Sequence, residues 1–462
     1  MSKNLFHQLA ILVSLGTIAG CASPRASLDK VRETIAGRTG QRVQWLRGGP
    51  EDAEAERAVQ SLLQRELTAN SAVQIALLNN RSLQARFEEI GISQADLVDA
   101  GLLTNPEFAA SWRFPNRSPS GTNAEYSITK DLLDLIVIPI RKRFAAAQLA
   151  QTETRIAHEV LTLAADVKTA FYTLQAREQL LGRLNAIAGI SETAADFTKR
   201  LHDAGNTSDL DLANQQGSYE QSRLDVAQTT LQIRSDRERL NRLLGLWGAN
   251  TNWKIADHLP DIPAHEVSLA HLESLAIAQR LDLEAARMNV NLIGQSLALR
   301  TRTRFLPAGI KVGVDTERET DGQRVTGPTL NLELPIFNQG QGAIAKLTAQ
   351  YRQAERELEA SAINARSEVR EARDQLIAGR DVTSYIGKRL LPTRQQALNL
   401  TLQQYNFMLK GAYDLLLAKQ NEVAAERSYI EGWRDYWIAR AELERAVGGN
   451  LSGKAYLDRS KR

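Results

Sequence analysis

The sequence predicts an α+β chain in which long helices carry two pairs of short strands, laid out as two tandem repeats. Proline is absent from 140 to 259, from 336 to 391 and beyond Pro392. It costs about 3 kcal/mol inside a helix, so such gaps are where long helices run. Ile156, Val160, Leu163, Val167, Ala170 and Leu174 step alternately by four and three, as do Tyr429, Trp433, Tyr436, Arg440, Leu443 and Val447. That is the seam of helices packed side by side, with Arg440 its one polar member. The third observation is self-similarity at a separation of roughly 200 residues.

The repeat is read position by position. "AVQIALLNNRSLQA" from Ala72 answers "ESLAIAQRLDLEA" from Glu273, with Ala76, Leu83 and Ala85 on Ala276, Leu283 and Ala285. Asn105-Pro106 answers Leu306-Pro307, Val167 answers Val369, and Gly245 answers Gly448. "DAGNTSDLDLANQQ" answers "LKGAYDLLLAKQN", placing Asp209 on Asp414. The expected organisation is a leader at 1–20, an arm at 21–60, a first repeat at 61–245, a connecting segment at 246–267, a second repeat at 268–449 and a polar tail at 450–462.

Each repeat opens with a short helix, for which Thr68 and Ser268 are the expected N-caps. Two alternating stretches follow the proline. In the first repeat these are "EFAASWRF" from Glu107 and "AEYSITKDLL" from Ala124; in the second, "AGIKVGVDT" from Ala308 and "GPTLNLELPI" from Gly327. Phe108, Ala110, Trp112 and Phe114 share a face, as do Ile310, Val312 and Val314, and Leu330, Leu332 and Leu334. About nine to eleven alternating residues is the length of a membrane-crossing strand. From Pro139 a helix of roughly 65 residues reaches the turn at Gly205, about 100 Å at 1.5 Å per residue. A second returns from Asp209 to about Leu244.

The start of the chain bears on where those strands lie. Lys3 precedes a short apolar core, "LAILVSL", and small residues lead to Cys21, the only cysteine among 462 residues. The core is too short to span a bilayer and reads as the h-region of an export signal. A small-small-Cys ending resembles the bacterial lipoprotein signal, which implies an acylated Cys21; Ala22 after it implies sorting to the outer membrane. No other apolar run is long enough for a transmembrane helix, so any crossing must be made by strands. Four strands leave two open edges, which lipid does not tolerate, so copies must combine: two would give eight strands, three would give twelve and a possible lumen.

Taken together, the signal at Cys21, "LTANSAVQIALLNNRSL", Asn105-Pro106 and "GAYDLLLAKQ" resemble the TolC-like outer-membrane factors, the exit ducts of tripartite efflux and type I secretion systems. "QYNFMLKGAYDLLLAKQ" and "IPIRKRFAAAQLA" are similar to members serving heavy-metal pumps. The resemblance spans about 62–448. It implies a homotrimeric duct, an α+β membrane protein with four strands per chain in a twelve-stranded barrel above a periplasmic barrel of long α-helical hairpins. An equatorial domain would draw on 246–267, the segment near Pro392 and the tail, and the stretch from Ala22 to about Arg57 would be an extended anchor arm. The implied partners are a periplasmic membrane-fusion adaptor, an inner-membrane pump and outer-membrane lipid, with no cofactor beyond the lipid on Cys21.

Gly205 and Gly411 mark the two helical turns, and three acids follow them: Asp209 and Asp211 after the first, Asp414 after the second. An acid at a helix start accepts free backbone N–H groups, and Asp209 is the expected cap. In a symmetric assembly each would also become a ring of carboxylates that repels anions and concentrates cations. In the resembled family, aspartates here are associated with a constricted entrance; their basic partner has no evident counterpart on the shorter second turn.

Other classes are excluded or set aside. Net charge is only +3, which gives no field for nucleic acid. There is no Gly-x-Ser-x-Gly, His-Glu-x-x-His or phosphate loop, so no enzyme is expected. His258, His265 and His271 lack cysteine or carboxylate company of ligand spacing, and only Met288 and Met408 follow the initiator, so no metal site is expected. A periplasmic coiled-coil adaptor or structural lipoprotein is the alternative; it explains the heptads but leaves the strand pairs idle.

Overall fold

In the computed structural model, residues 25–116, 121–264, 270–307 and 309–451 are described. Cys21, Ser268, His265 and nearly all of the polar tail therefore lie outside the described residues. The first half runs α1 (Arg25–Thr39), α2 (Pro50–Leu63), α3 (Ala69–Asn79), α4 (Arg81–Asp99), β1 (Glu107–Arg113), β2 (Asn123–Asp131), α5 (Asp134–Asp203) and α6 (Asp209–Leu244). The second runs α7 (Leu272–Gln279), α8 (Leu281–Arg302), β3 (Ile310–Arg318), β4 (Arg324–Leu332), α9 (Gln341–Tyr385), a π turn (Ile386–Leu390), α10 (Leu391–Asn406) and α11 (Ala412–Val447).

Several expectations need correction. The anchor arm is not extended: α1 and α2 occupy it, because Leu28, Val31 and Ile35 recur at helical spacing and are all buried. α5 begins five residues before Pro139, which lies inside the helix. The amides of Leu135, Ile136 and Val137 bond back to Leu132 and Leu133, so the helix is nucleated ahead of the proline. α4 and α8, which precede each strand pair, add helices that the proline pattern did not reveal; Leu83, Phe87 and Ile90 bury one side of α4. At the second opening the N-cap is His271, with φ 59° and no side-chain cap, whereas Thr68 and Ser71 form a reciprocal capping box at the first.

Two compact units arise, each drawing on both halves of the chain. One contains Glu88–Glu153 and Met288–Glu355, and so the sheet. Its four strands are antiparallel in the order β1-β2-β3-β4, so the two hairpins join through β2 and β3. Gly313 sits at that junction, where a Cβ would lie 2.1 Å from the Ile128 carbonyl oxygen.

The other unit contains Val31–Phe87, Thr154–Arg287 and the chain from Arg356 on. Leu272 and Ala276 of α7, Val369 and Leu376 of α9, and Tyr436 and Leu443 of α11 form its buried cluster. The connecting segment is tied into the same unit. Trp253 and Leu259 are buried, and both Trp433 and Trp437 donate their indole N–H to the Pro260 carbonyl at 2.8 Å. Among the described residues no helix is long and apolar enough to cross a membrane.

Candidate functional site

Strand register sorts the sheet into two faces. Phe108 pairs with Ile128, Ile128 with Val314 and Val314 with Pro328. The next rows are Lys130–Val312–Leu330 and Ile310–Leu332 on one side, Ala110–Tyr126–Thr316–Thr326 on the other. Because strand side chains alternate, every large apolar residue of these rows lies on one face. Phe108, Trp112, Ile128, Val314, Leu330 and Leu332 are all exposed there among the described residues. Trp112 meets the Tyr126 ring edge-on and donates to its hydroxyl at 3.2 Å.

The opposite face is polar. Arg113 pairs with Glu125 at 3.1 Å, Lys311 reaches across β2 to Glu107 at 2.7 Å, and Asn123 donates to Glu317 at 2.6 Å. Ser127, Thr129 and Asp315 complete it by register. A sheet apolar and exposed on one face, polar and ion-paired on the other, suits lipid outside and water within.

The two helical turns are built alike. After α5, Gly205 takes φ 76°, and the amides of Gly205 and Asn206 bond back to His202 and Leu201. After α10, Met408 takes φ 57°, and the amides of Met408 and Leu409 bond back to Tyr405 and Gln404. The left-handed residue of the second turn is thus Met408, 93% exposed, and not Gly411. Gly411 is the N-cap of α11, with φ −85°. It corresponds to Ser208, the N-cap of α6. Asp414 therefore matches Asp211, both at the third helical position, and not Asp209.

The carboxylates follow from this alignment. Asp211 accepts from the Ser208 hydroxyl at 2.7 Å while its own amide donates to Ser208 Oγ at 3.1 Å. The Ser208 hydroxyl, above all, holds the Asp211 carboxyl below its ordinary range. Asp414 accepts from the Gly411 amide at 3.2 Å and has Lys410 Nζ at 3.5 Å, a basic neighbour that the sequence comparison overlooked. The cap expected of Asp209 belongs to Ser208; Asp209 instead meets His202 Nε2 at 2.6 Å. The sequence signal for this was the His202 to Asp209 interval across a Gly-containing turn. Among the described residues no group of three or more histidine, cysteine or acidic side chains gathers as a metal site.

Comparison with known proteins adds the relatives. Residues 122–246 match the family model described as Outer membrane efflux protein. The cobalt-zinc-cadmium resistance protein CzcC of Cupriavidus metallidurans is 24% identical over 398 residues, 83% of this chain and 90% of that protein. A membrane protein from Pseudomonas aeruginosa superposes with a TM-score of 0.72 at 20% identity, over 85% of this chain and 92% of that one. CusC, solved in a study of its transmembrane channel formation, superposes at 0.68 with 18% identity, over 83% and 93%. The chain is homologous to outer-membrane efflux proteins, and its fold is that of the TolC-like outer-membrane factors.

The His202–Asp209 contact gives a pH prediction. The hydrogen bond to Asp209 is the main cause that raises the His202 pKa. A raised histidine pKa means that the protonated form is favoured in the fold, so the contact contributes fully at low pH and is lost as pH rises through the raised value. Histidine-selective NMR of the full-length protein should place the His202 midpoint above the ordinary histidine range, and Asp209→Asn should bring it down. An unchanged midpoint in that variant would show that the pair is not coupled in solution.

Proposed function

We propose that this homologue of TolC-like outer-membrane factors is the outer-membrane channel of an efflux system, conducting cargo passively from periplasm to exterior. The observation that carries this reading is the register of the sheet, which collects nearly all of the large exposed apolar residues on one face, Val325 excepted, and the ion-paired polar residues on the other. Three copies would close twelve strands, turn the apolar face to lipid and leave the polar face lining water. The chain has then only to hold a path open, and choice of cargo falls to the machinery below. A periplasmic adaptor and an inner-membrane pump are the partners this reading implies, and Cys21 is the lipid anchor.

At the turns, Asp209, Asp211 and Asp414 become rings of carboxylate in a threefold assembly. Capping supports the charge rather than competing with it, since the hydroxyl bond to Asp211 favours its ionised form. Such rings would concentrate cations at the entrance.

Three measurements test the parts separately. Ile128→Arg and Val314→Arg place a charge on the apolar face and should cost about 2–4 kcal/mol at mid-depth, with a sharp fall in trimer yield. Ser127→Arg, one residue away on the polar face, should leave assembly intact; equal losses on both faces would refute the assignment. In planar bilayers, Asp211→Ala with Asp414→Ala should weaken cation selectivity while trimers persist, and unchanged selectivity would reduce both residues to caps. Cys21→Ala should abolish incorporation of labelled fatty acid, and equal labelling of variant and wild type would overturn the anchor.

A further inference from the structure

We propose that Arg318 and Arg324 form a phosphate-binding site for an anionic lipid at the outer rim of the sheet, an inference that rests on the outer-membrane reading. The two arginines are the last pair of the β3–β4 register, directly opposite one another beside the hairpin turn. Their row continues through Ala124 to Trp112, so both project from the apolar face. Directly opposed residues have Cβ atoms about 5 Å apart, and like charges there repel. A strand pair ending on two opposed guanidinium groups is stabilised by an anion between them.

The described residues supply no such anion. Every other basic residue on the four strands has a partner: Arg113 with Glu125, Lys311 with Glu107, and Lys130 with the carbonyl and hydroxyl of Thr104. Arg318 and Arg324 have none among the described residues. Two of the neighbouring acids on the strands are committed elsewhere. Glu317 points to the polar face and accepts from Asn123, and Glu125 holds Arg113 there. In the turn, Asp321 accepts from the Gln323 amide at 2.8 Å, and among the described residues no ion pair joins Glu319 or Asp321 to either arginine.

The surroundings say what kind of anion fits. Four residues along β3, about 14 Å at 3.4 Å per residue, lies Val314 in the row Phe108–Ile128–Val314–Pro328. Trp112, 55% exposed, stands in the arginine row itself, with its ring against Tyr126. Apolar wall, aromatic pair and cationic pair thus follow in order toward the hairpin end. That is the order of acyl chain, interface and headgroup in a lipid leaflet. A free phosphate would use the arginines alone, whereas a phosphorylated lipid would also cover the wall below them. Each guanidinium offers a planar fork of N–H donors matched to phosphate oxygens, and the long stem lets it rise to headgroup level. Threefold assembly would set three such pairs around the barrel.

The test uses purified full-length trimer in phosphatidylcholine vesicles, alone or with bis-phosphorylated lipid A, dephosphorylated lipid A or inorganic phosphate. The readout is the temperature at which the trimer dissociates, with retained lipid measured by native mass spectrometry. Bis-phosphorylated lipid A should raise that temperature for the wild type, while the dephosphorylated form and inorganic phosphate should not. Arg318→Gln with Arg324→Gln should still assemble and conduct, and should bind the phosphorylated lipid about ten-fold or more weakly, as expected for loss of charge-assisted hydrogen bonds. Should the double variant fail to assemble, Arg324→Gln alone and the wild-type comparison of the two lipids decide. Equal shifts from both forms of lipid A, an equal shift from inorganic phosphate, or an undiminished shift in the variants overturns the site. Those results leave the channel standing, whereas a wild type that forms no trimer in any vesicle overturns the outer-membrane reading and the site with it.

Discussion

The outer strands β1 and β4 each pair on one side only. A row of backbone N–H and C=O groups left open is tolerable in water and prohibitive in lipid, where each unsatisfied group costs several kcal/mol. The sheet also exposes, among the described residues, a face on which most of its large apolar side chains gather. Edge and face make opposite demands: the face seeks a non-aqueous surrounding, and the edges cannot enter one alone. Further copies of the same sheet satisfy both. Self-association is thus a condition for the strands to reach their proposed place, and much of the chain can be understood as arranging it.

The β2–β3 junction is where the two halves become one sheet. Each hairpin is local in sequence, but β2 and β3 pair residues such as Ile128 and Val314, almost two hundred positions apart. Gly313 permits the close approach there, since any Cβ would run into the Ile128 carbonyl. The helices repeat one construction with different chemistry. At the end of α6, Gly245 turns left-handed while Asn79 and Asn80 donate to the carbonyls of Leu244, Gly245 and Leu243. At the end of α11, Gly448 turns likewise, but Arg38 and Arg280 reach the carbonyls of Gly448 and Ala446. An amide needs no counter-ion in that position and a guanidinium does. Arg280, almost wholly buried, is held by Asp282 and Glu368, each at 2.7 Å.

Much of this was legible in the sequence because the signals were physical. Strand faces follow from a period of two, and Phe108, Val314 and Leu330 stand where alternation put them. The long helices follow from the absence of proline, and α6 has the expected bounds. Proline misled where it was read as a boundary. Pro139 is carried inside α5, and Pro392 is the second residue of α10, which follows directly on a π turn. Register across β2–β3 was not legible, because no local signal specifies a pairing between distant hairpins. The second turn was misread for a different reason. Glycine is the usual residue at positive φ, yet here Met408 holds the left-handed position and Gly411 is the N-cap that follows it. Matching Asp209, Ala213 and Gln215 to Asp414, Ala418 and Gln420, a separation of 205, sets Asp414 against Asp209, whereas the two helix starts lie 203 apart.

With the frame corrected, capping and charge at the two turns are one property. An aspartate at the third helical position is held by the N-cap it faces, so its place is fixed by the helix start rather than by flexible side-chain packing. Hydrogen bonds to a carboxylate favour its ionised form, and the helix N-terminus does the same. For Asp211 both bonds fall on Oδ2, from Ser208 at 2.7 Å and from Thr207 at 3.3 Å. Asp414 spends Oδ2 on the Gly411 amide and turns Oδ1 toward Lys410. The first turn thus presents a carboxylate stabilised by neutral donors, with its negative charge uncompensated. The second presents one partly balanced by a lysine. At this one helical position the two hairpins therefore differ in charge balance, an asymmetry between two halves whose backbones end their helices in the same way.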